Sequence, residues 1–302
     1  MSHLDSHRLQ RDPPRAGGTA AATRYSDMIN RYLAIGHYRS EEAVRPAPRV
    51  PPVAVGTVLA AVDDSPVSCT AVDHAAIEAQ LHGWYLRLVH VHRGGSPVAR
   101  EEGARLLERL TDRVHAGAPS VAVTSRLIAG AAAPLLLTNA RDTNLVVVGH
   151  RHATASCAFG RTVGDRVAAY HSGVVMVVRM PGWPPGPEFG ARPIVVGVDA
   201  AGTRTRAVDF ALREAAFRGC DLVMAHAGRN ATPAERAERN GEVLVHHRVV
   251  AADPVTALLE FSGRAAAVVV GRQAPGAPPG RLLGSVSRAM VQRARCPVFL
   301  AG

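Results

Sequence analysis

Two segments of the chain show the same succession of apolar runs and amphipathic stretches. The first begins with the apolar run 58–62 and the second with the apolar run 194–198. In each, an amphipathic stretch ends at a glycine and a second apolar run follows. Continuous runs of Val, Ile and Leu predict strands that are buried on both faces, as in parallel sheets covered by helices. The pattern therefore predicts an α/β fold built from βαβ units.

The two segments are copies of one another. Asp63 matches Asp199 at an offset of 136 residues, and the alignment needs no gap from the first strand through the second. Gly149 matches Gly271 at an offset of 122, so the second copy lacks 14 residues between its second and fourth strands. We expect five strands in each copy and a stunted helix before the third strand of the second copy.

Proline and glycine divide the chain into four regions. They are an N-terminal extension (1–52), predicted to be poorly ordered, a first domain (53–180), a Pro/Gly linker (181–193) and a second domain (194–302). The extension contains apolar residues at helical spacing, which predict one short helix: Tyr25, Met28, Ile29, Tyr32 and Leu33. That helix could pack on its own domain or dock onto a protein partner.

Every basic side chain apart from histidine is an arginine, because the 302 residues include no lysine. A Walker-type phosphate loop, a Schiff-base enzyme and a pyridoxal enzyme all need a lysine amine, so these classes are excluded. The 35 arginines exceed the 25 acidic residues, and six arginines but no acidic residue follow Glu260. This stretch predicts a solvated arginine face or a site that attracts anions. A nucleic-acid-binding module is not visible, so we expect no specific nucleic acid partner.

The remaining composition indicates the compartment. Four cysteines stand far apart without a C-x-x-C pair, which is typical of a reducing compartment. The amino terminus lacks a signal-type apolar segment, and no run approaches the ~18 apolar residues of a membrane span. We therefore expect a cytoplasmic protein without membrane contact. No spacing of residues predicts a metal site or a catalytic nucleophile.

The candidate chemistry lies where strands end. Asp63 and Asp199 close the first strand of each copy, and Gly149 and Gly271 close the fourth. Ligands of open parallel sheets bind beyond the carboxyl ends of the strands, at the point where the strand order reverses. An aspartate there can accept hydrogen bonds from ribose hydroxyls, and a glycine lets backbone N–H groups approach a phosphate. The alternative is a structural role in a turn or a helix cap.

The loop after the fourth strand of the second copy carries a specific spacing. Gly271 is followed by two residues, then Ala274, nine further residues, Gly284 and Ser285. This resembles the universal stress protein family, whose nucleotide-binding members have Gly, two residues, Gly, nine residues, Gly and then Ser or Thr. Ala274 stands where the family has its second glycine. A serine at this position could also be an ordinary helix N-cap.

The resemblance covers roughly residues 55–180 and 192–302. It implies an α/β fold of two tandem Rossmann-like domains, each a five-stranded parallel sheet of strand order 3-2-1-4-5 with helices on both faces. In the second domain it implies a site for ATP or a related adenine nucleotide, with Mg²⁺ possible. Asp199 would hold the ribose, and Gly271, Gly284 and Ser285 would hold the phosphates. Arg272 could donate to phosphate oxygens as well, and Ala274 and Val286 complete the candidate binding residues.

The first domain has lost most of this motif. Gly149 survives, but without gaps His152, Thr162 and Val163 stand at the other three positions. Asp63 and Gly149 are therefore weaker candidates, and we expect a structural or regulatory half that binds nucleotide poorly.

These features predict a stress-response sensor or regulatory module without enzymatic turnover. Slow ATP hydrolysis is a further possibility, although the sequence offers no visible general base. A different alternative is a nucleotide-free interaction or scaffold protein built from two degenerate domains. Family members pair through their last strands, which implies either a homodimer or a pseudo-dimer within one chain. An unknown protein partner is also possible.

Overall fold

The computed structural model describes residues 25–32, 56–150, 162–180, 189–199, 205–273 and 283–302. Over this part of the chain, one 11-stranded sheet has the order β3-β2-β1-β4-β5-β11-β10-β6-β7-β9-β8. Buried residues form one core on each face of the sheet. The cores alternate along a strand, since Val58 and Ala60 belong to one and Leu59 to the other. Helices α1, α2, α3 and α6 cover the first face, and α4, α5, α7 and α8 cover the second.

The first domain has the predicted architecture. Its described strands are parallel and have the order β3-β2-β1-β4-β5. Helix α1 (25–32) precedes the domain. The domain then comprises, in chain order, β1 (Thr57–Val62), α2 (Pro66–His82), β2 (Tyr85–His92), α3 (Pro97–Gly117), β3 (Val123–Ala129), α4 (Ala132–Asn139), β4 (Leu145–Gly149), α5 (Val163–Tyr170) and β5 (Val174–Val178).

The second domain repeats this order with one change. After a 3₁₀ turn (Phe189–Ala191), its elements are β6 (Ile194–Val198), α6 (Arg206–Arg218), β7 (Leu222–Ala227), β8 (Ala234–Asn240), β9 (Val243–Val250), α7 (Pro254–Ser262), β10 (Ala267–Val270), α8 (Ser285–Arg293) and β11 (Val298–Leu300). Strands β9, β7, β6, β10 and β11 reproduce the 3-2-1-4-5 order, and β8 adds an antiparallel edge strand.

The stunted helix and the count of five strands predicted for the second domain are therefore wrong. Within the described residues this domain has six strands, because β8 occupies the place of the helix. Gly241 has a φ of 60° in the short turn between β8 and β9, and this left-handed conformation favours a tight hairpin. Every residue of β8 is exposed. Its charged residues stand at consecutive positions, 235–236 and 238–239, so they lie on both faces of the strand.

The two domains join through their last strands. Strand β5 pairs with β11 in antiparallel fashion, with Val177 opposite Val298 and Val175 opposite Leu300. The sequence left open whether the last strands pair between two chains or within one. In this structure they pair within one chain, as a pseudo-dimer. Among the described residues, no helix has both the length and the apolar character needed to cross a membrane.

Helix α1 packs on its own chain and bridges both domains. Tyr25 and Tyr32 are each only 2% exposed. The Tyr25 hydroxyl accepts a hydrogen bond from Arg218 in the second domain. The Tyr32 ring lies against Gly117 in the first domain, where a Cβ would come within 2.5 Å of it. The predicted helix is confirmed over 25–32, and the apolar face proposed for a partner is buried within the chain. Leu33 and the rest of the extension lie outside the described residues.

A buried ion network connects α2 with α6. Glu78 and His82 of α2 face Glu214 and Arg218 of α6, at positions that match by the 136-residue offset. The His82 Nε2 atom lies 3.2 Å from Glu214 Oε2, and Arg218 Nε donates to Glu214 Oε1 at 2.8 Å. Burial opposes the charge of His82, but hydrogen bonds to the two glutamates outweigh it and raise its pKa to about 10. Burial and the charge of Glu214 raise the pKa of Glu78. The network therefore places two basic side chains against two buried carboxyl groups.

Candidate functional site

The site lies where the strand order of the second domain reverses. Strands β6 and β10 are neighbours, with Val196 opposite Val269. Asp199 follows the end of β6 and Gly271 follows the end of β10, so both residues stand at the same edge of the sheet. The structure thus brings together the aspartate and the glycine that the sequence placed at strand ends.

The Asp199 carboxylate has an unused oxygen. Its Oδ1 atom is buried and makes no hydrogen bond with any residue that the structure describes. A buried carboxylate oxygen without a donor is costly, and a ligand hydroxyl can supply the missing hydrogen bond. Asp199 is therefore suited to accept from a ribose.

The equivalent carboxylate of the first domain is already engaged. Oδ1 of Asp63 accepts from the Ser65 backbone N–H at 3.1 Å and from the Ser68 hydroxyl at 2.7 Å. The Ser65 hydroxyl donates to the same oxygen. These contacts make Asp63 part of the turn into α2, which is the structural role considered as its alternative.

The N-terminus of α8 presents backbone donors beside Gly271. Gly284 is the N-cap, with φ −57° and ψ 163°, and no side chain among the described residues caps the helix. Ser285 is the first helical residue and its side chain is exposed. Ser285 is therefore not the N-cap, and the alternative role that the sequence offered for it is wrong. An uncapped helix start leaves N–H groups and a partial positive charge for an anion.

Two hydrogen bonds hold this helix start against the end of β10. The Gly284 N–H donates to the carbonyl of Arg272 at 2.8 Å. The Ser287 hydroxyl donates to the carbonyl of Gly271 at 2.5 Å. The role of Ser287 was not predicted, because the family motif ends before it. Val286 contributes its side chain to the core, so only its backbone can face a ligand.

The first domain closes the same position with its own carboxylate. Thr162 caps α5, and Asp165 completes a capping box by accepting from the Thr162 N–H at 3.0 Å. His150 Nε2 lies 3.2 Å from Asp165 Oδ1. Burial opposes ionisation of Asp165, but hydrogen bonds from His150 and Thr162 hold its pKa below the usual value. An ionised carboxylate thus lies at the helix N-terminus, where its charge would repel a phosphate.

The other residues predicted for the site take different positions. A Cβ at Gly149 would come within 2.9 Å of Val67, so packing accounts for this glycine. The Arg272 guanidinium donates to the carbonyls of Ala168 and Gly173, both in the first domain. The expectation that Arg272 donates to phosphates is therefore wrong for this structure, because its side chain turns to the other domain. Ala274 lies outside the described residues.

The network between α2 and α6 also offers ligand atoms for a metal ion. In the described part of the chain, side-chain atoms of Glu78, His82 and Glu214 lie within 4.8 Å of one another. Arg218 already donates to both glutamates, so its guanidinium supplies the compensating positive charge and no metal ion is needed. We interpret this cluster as an ion network that joins the domains.

The family model and the curated relatives that this chain matches give the same family. The model of the universal stress protein family matches residues 55–179 and 227–301. A universal stress protein of Mycobacterium tuberculosis is 29% identical over 301 residues, which cover 81% of this chain and 94% of that protein. One from Mycolicibacterium smegmatis is 32% identical over 285 residues, covering 80% and 96%. The crystal structure of a universal stress protein from Archaeoglobus fulgidus has a TM-score of 0.60 at 15% identity, and covers 81% of this chain and 97% of that one.

Proposed function

Because this chain belongs to the universal stress protein family, we propose that its second domain binds ATP or a related adenine nucleotide. The bound protein acts as a sensor or regulatory module of a stress response, in the cytoplasm and without enzymatic turnover. Mg²⁺ would accompany the phosphates, as it does in most sites for nucleoside triphosphates.

The contrast between the two domains is the observation that carries this proposal. In the first domain, the strand-end Asp63 and the helix cap Thr162 both have partners from their own domain. In the second domain, Asp199 retains an unused oxygen and α8 starts without a side-chain cap among the described residues. Equivalent positions are thus satisfied internally in one copy and open in the other. This difference supports one nucleotide site for each chain.

Each open group suits one part of a nucleotide. The Asp199 carboxylate accepts from the ribose hydroxyls. The backbone of Gly271 follows β10 at the same edge of the sheet, where it faces the phosphates. The N–H groups of Ser285 and Val286 and the Ser285 hydroxyl donate to phosphate oxygens, aided by the helix dipole. Lysine is absent from the chain, so this binding uses backbone donors, a hydroxyl and the surrounding arginine charge.

A second candidate function is a nucleotide-free interaction module. The exposed edge strand β8 favours it, because an unpaired strand edge can add a strand from a partner. The burial of Tyr25 and Tyr32 within the chain removes α1 from the partner surfaces considered. An interaction module of this kind would show no affinity for ATP, which separates it from the first proposal.

Replacing Ser285 with alanine tests the assignment of the phosphate end. We expect the Kd for ATP to rise by about tenfold or more, because a hydrogen bond to a charged group contributes ~1.5–3 kcal/mol. Calorimetric titration of the full chain with ATP measures the change. Ser125→Ala, an exposed serine on β3, serves as the control and should bind like the wild type.

The possible outcomes of this titration separate two failures. A wild-type protein without affinity for ATP would refute the proposed function. A wild-type protein that binds ATP, with an unchanged Kd in Ser285→Ala, would refute the assignment of Ser285 alone.

A further inference from the structure

Arg272 lies in the connection between β10 and α8, close to the end of β10. The start of α8 is the part of the helix that we propose to bind phosphate. Its carbonyl accepts from the Gly284 N–H at 2.8 Å, so its backbone holds the N-cap of α8. The preceding carbonyl, that of Gly271, accepts from Ser287 at 2.5 Å. The backbone position of Arg272 therefore helps to set where the free N–H groups of α8 point.

The side chain of Arg272 fixes this backbone to the other domain. One terminal nitrogen donates to the carbonyl of Ala168 in the last turn of α5, and the other donates to the carbonyl of Gly173 just before β5. Burial lowers the pKa of Arg272 to about 10, which leaves the guanidinium charged at neutral pH. A planar guanidinium can satisfy two carbonyls at once, and this geometry restricts its position.

The surroundings of the guanidinium keep this contact intact at neutral pH. His171 lies in the same turn of the first domain, and burial together with the charge of Arg272 lowers its pKa to about 4. His171 is therefore neutral and does not repel the guanidinium.

Among the described residues, the first domain makes no equivalent contact with the second through the residue that matches Arg272. His150, the counterpart of Arg272 by the 122-residue offset, bonds to Asp165 within its own domain.

We propose that Arg272 is a positioning residue through which the first domain supports the phosphate end of the nucleotide site in the second. This inference rests on the proposed function. A nucleotide must reach Asp199 at the end of β6 and the N-terminus of α8 together, so the spacing between them governs phosphate affinity. The Arg272 side chain fixes one side of that spacing to Ala168 and Gly173. The first domain then regulates binding without holding a nucleotide itself.

Arg272→Gln and Arg272→Lys test this role in the full chain. Each variant is titrated with ATP and with adenosine, which lacks phosphates. We expect the Kd for ATP to rise about tenfold in both variants, equivalent to ~1.4 kcal/mol, and the Kd for adenosine to stay within about twofold. Lysine keeps the positive charge but cannot donate to two carbonyls as a guanidinium does. Arg293→Gln, which removes an exposed charge from the far end of α8, is the control and should bind both ligands normally.

Three results would overturn the inference. Unchanged ATP affinity in both variants would show that the contact does not position the site. Retained affinity in Arg272→Lys alone would show that Arg272 acts by its charge on the phosphates. An equal loss for ATP and adenosine would indicate a general structural role. A wild-type protein that binds ATP in these titrations leaves the proposed function intact in each case, and one that binds no nucleotide refutes both together.

Discussion

Replacing Arg218 with alanine is expected to lower the free energy of unfolding by about 3–5 kcal/mol. The Arg218 side chain is 1% exposed and donates to Glu78 and Glu214, and its guanidinium carbon lies 4.5 Å from the centre of the Tyr25 ring. Alanine would leave both carboxylates buried, with His82 as their compensating cation among the residues described around them. A buried charge without its partner keeps its desolvation cost, which destabilises the folded state. The change affects both domains and α1, because Arg218 contacts all three.

Urea denaturation of the two proteins measures this loss. Arg213→Ala, on the exposed side of the same helix, is the matched control and should change the free energy by less than about 0.5 kcal/mol. Arg218→Met combined with Glu78→Gln removes the buried guanidinium together with a carboxyl group that it pairs with, so it should recover part of the loss. A loss below about 1 kcal/mol for Arg218→Ala would contradict the view that this network holds the domains together.

Transferring the capping box of the first domain into the second is expected to weaken ATP binding by about a hundredfold or more. Gly284 and Ser287 occupy the positions of Thr162 and Asp165 by the 122-residue offset. The double variant Gly284→Thr/Ser287→Asp would place a carboxylate over the N–H groups of α8, where it repels the phosphates and occupies their donors. Gly284 has φ −57° and ψ 163°, which a threonine can adopt without strain.

Stability separates this effect from misfolding. A new cap stabilises a helix by about 1 kcal/mol, and loss of the Ser287 hydroxyl bond to the Gly271 carbonyl costs a similar amount. The double variant should therefore have a free energy of unfolding within about 1 kcal/mol of the wild type. Arg293→Gln, at the far end of the same helix, is the control, and its ATP affinity should equal that of the wild type. Undiminished ATP binding by a folded double variant would show that the nucleotide does not use the N-terminus of α8.

The repeat and the apolar runs were sufficient to predict most of the fold. Continuous apolar strands specify a parallel sheet, and the 136-residue offset identified equivalent positions such as His90 and His226, each of which places Nδ1 near the carbonyl that ends the first strand. The edge strand β8 was missed because its run of Ala, Glu and Arg has helical propensity. Pairing with β9 and the turn at Gly241 override that propensity.

The residues of the candidate site were also only partly predictable from the sequence. Strand ends and motif spacing located Asp199, Gly271 and Gly284, because these positions depend on backbone topology. The direction of the Arg272 side chain depends on how the two domains pack, and no local pattern contains that information. The capping box of the first domain did have a local signal, since a threonine three residues before an aspartate at a helix start indicates such a cap.

The stoichiometry of ATP binding tests the central claim most directly. Calorimetric titration of the full chain, freed of any nucleotide that co-purifies with it, is expected to show one ATP bound for each chain. That result follows from an open site at Asp199 and α8 and from a first domain closed by Asp165. The absence of any binding would contradict the nucleotide site, and two ATP molecules for each chain would contradict the closure of the first domain.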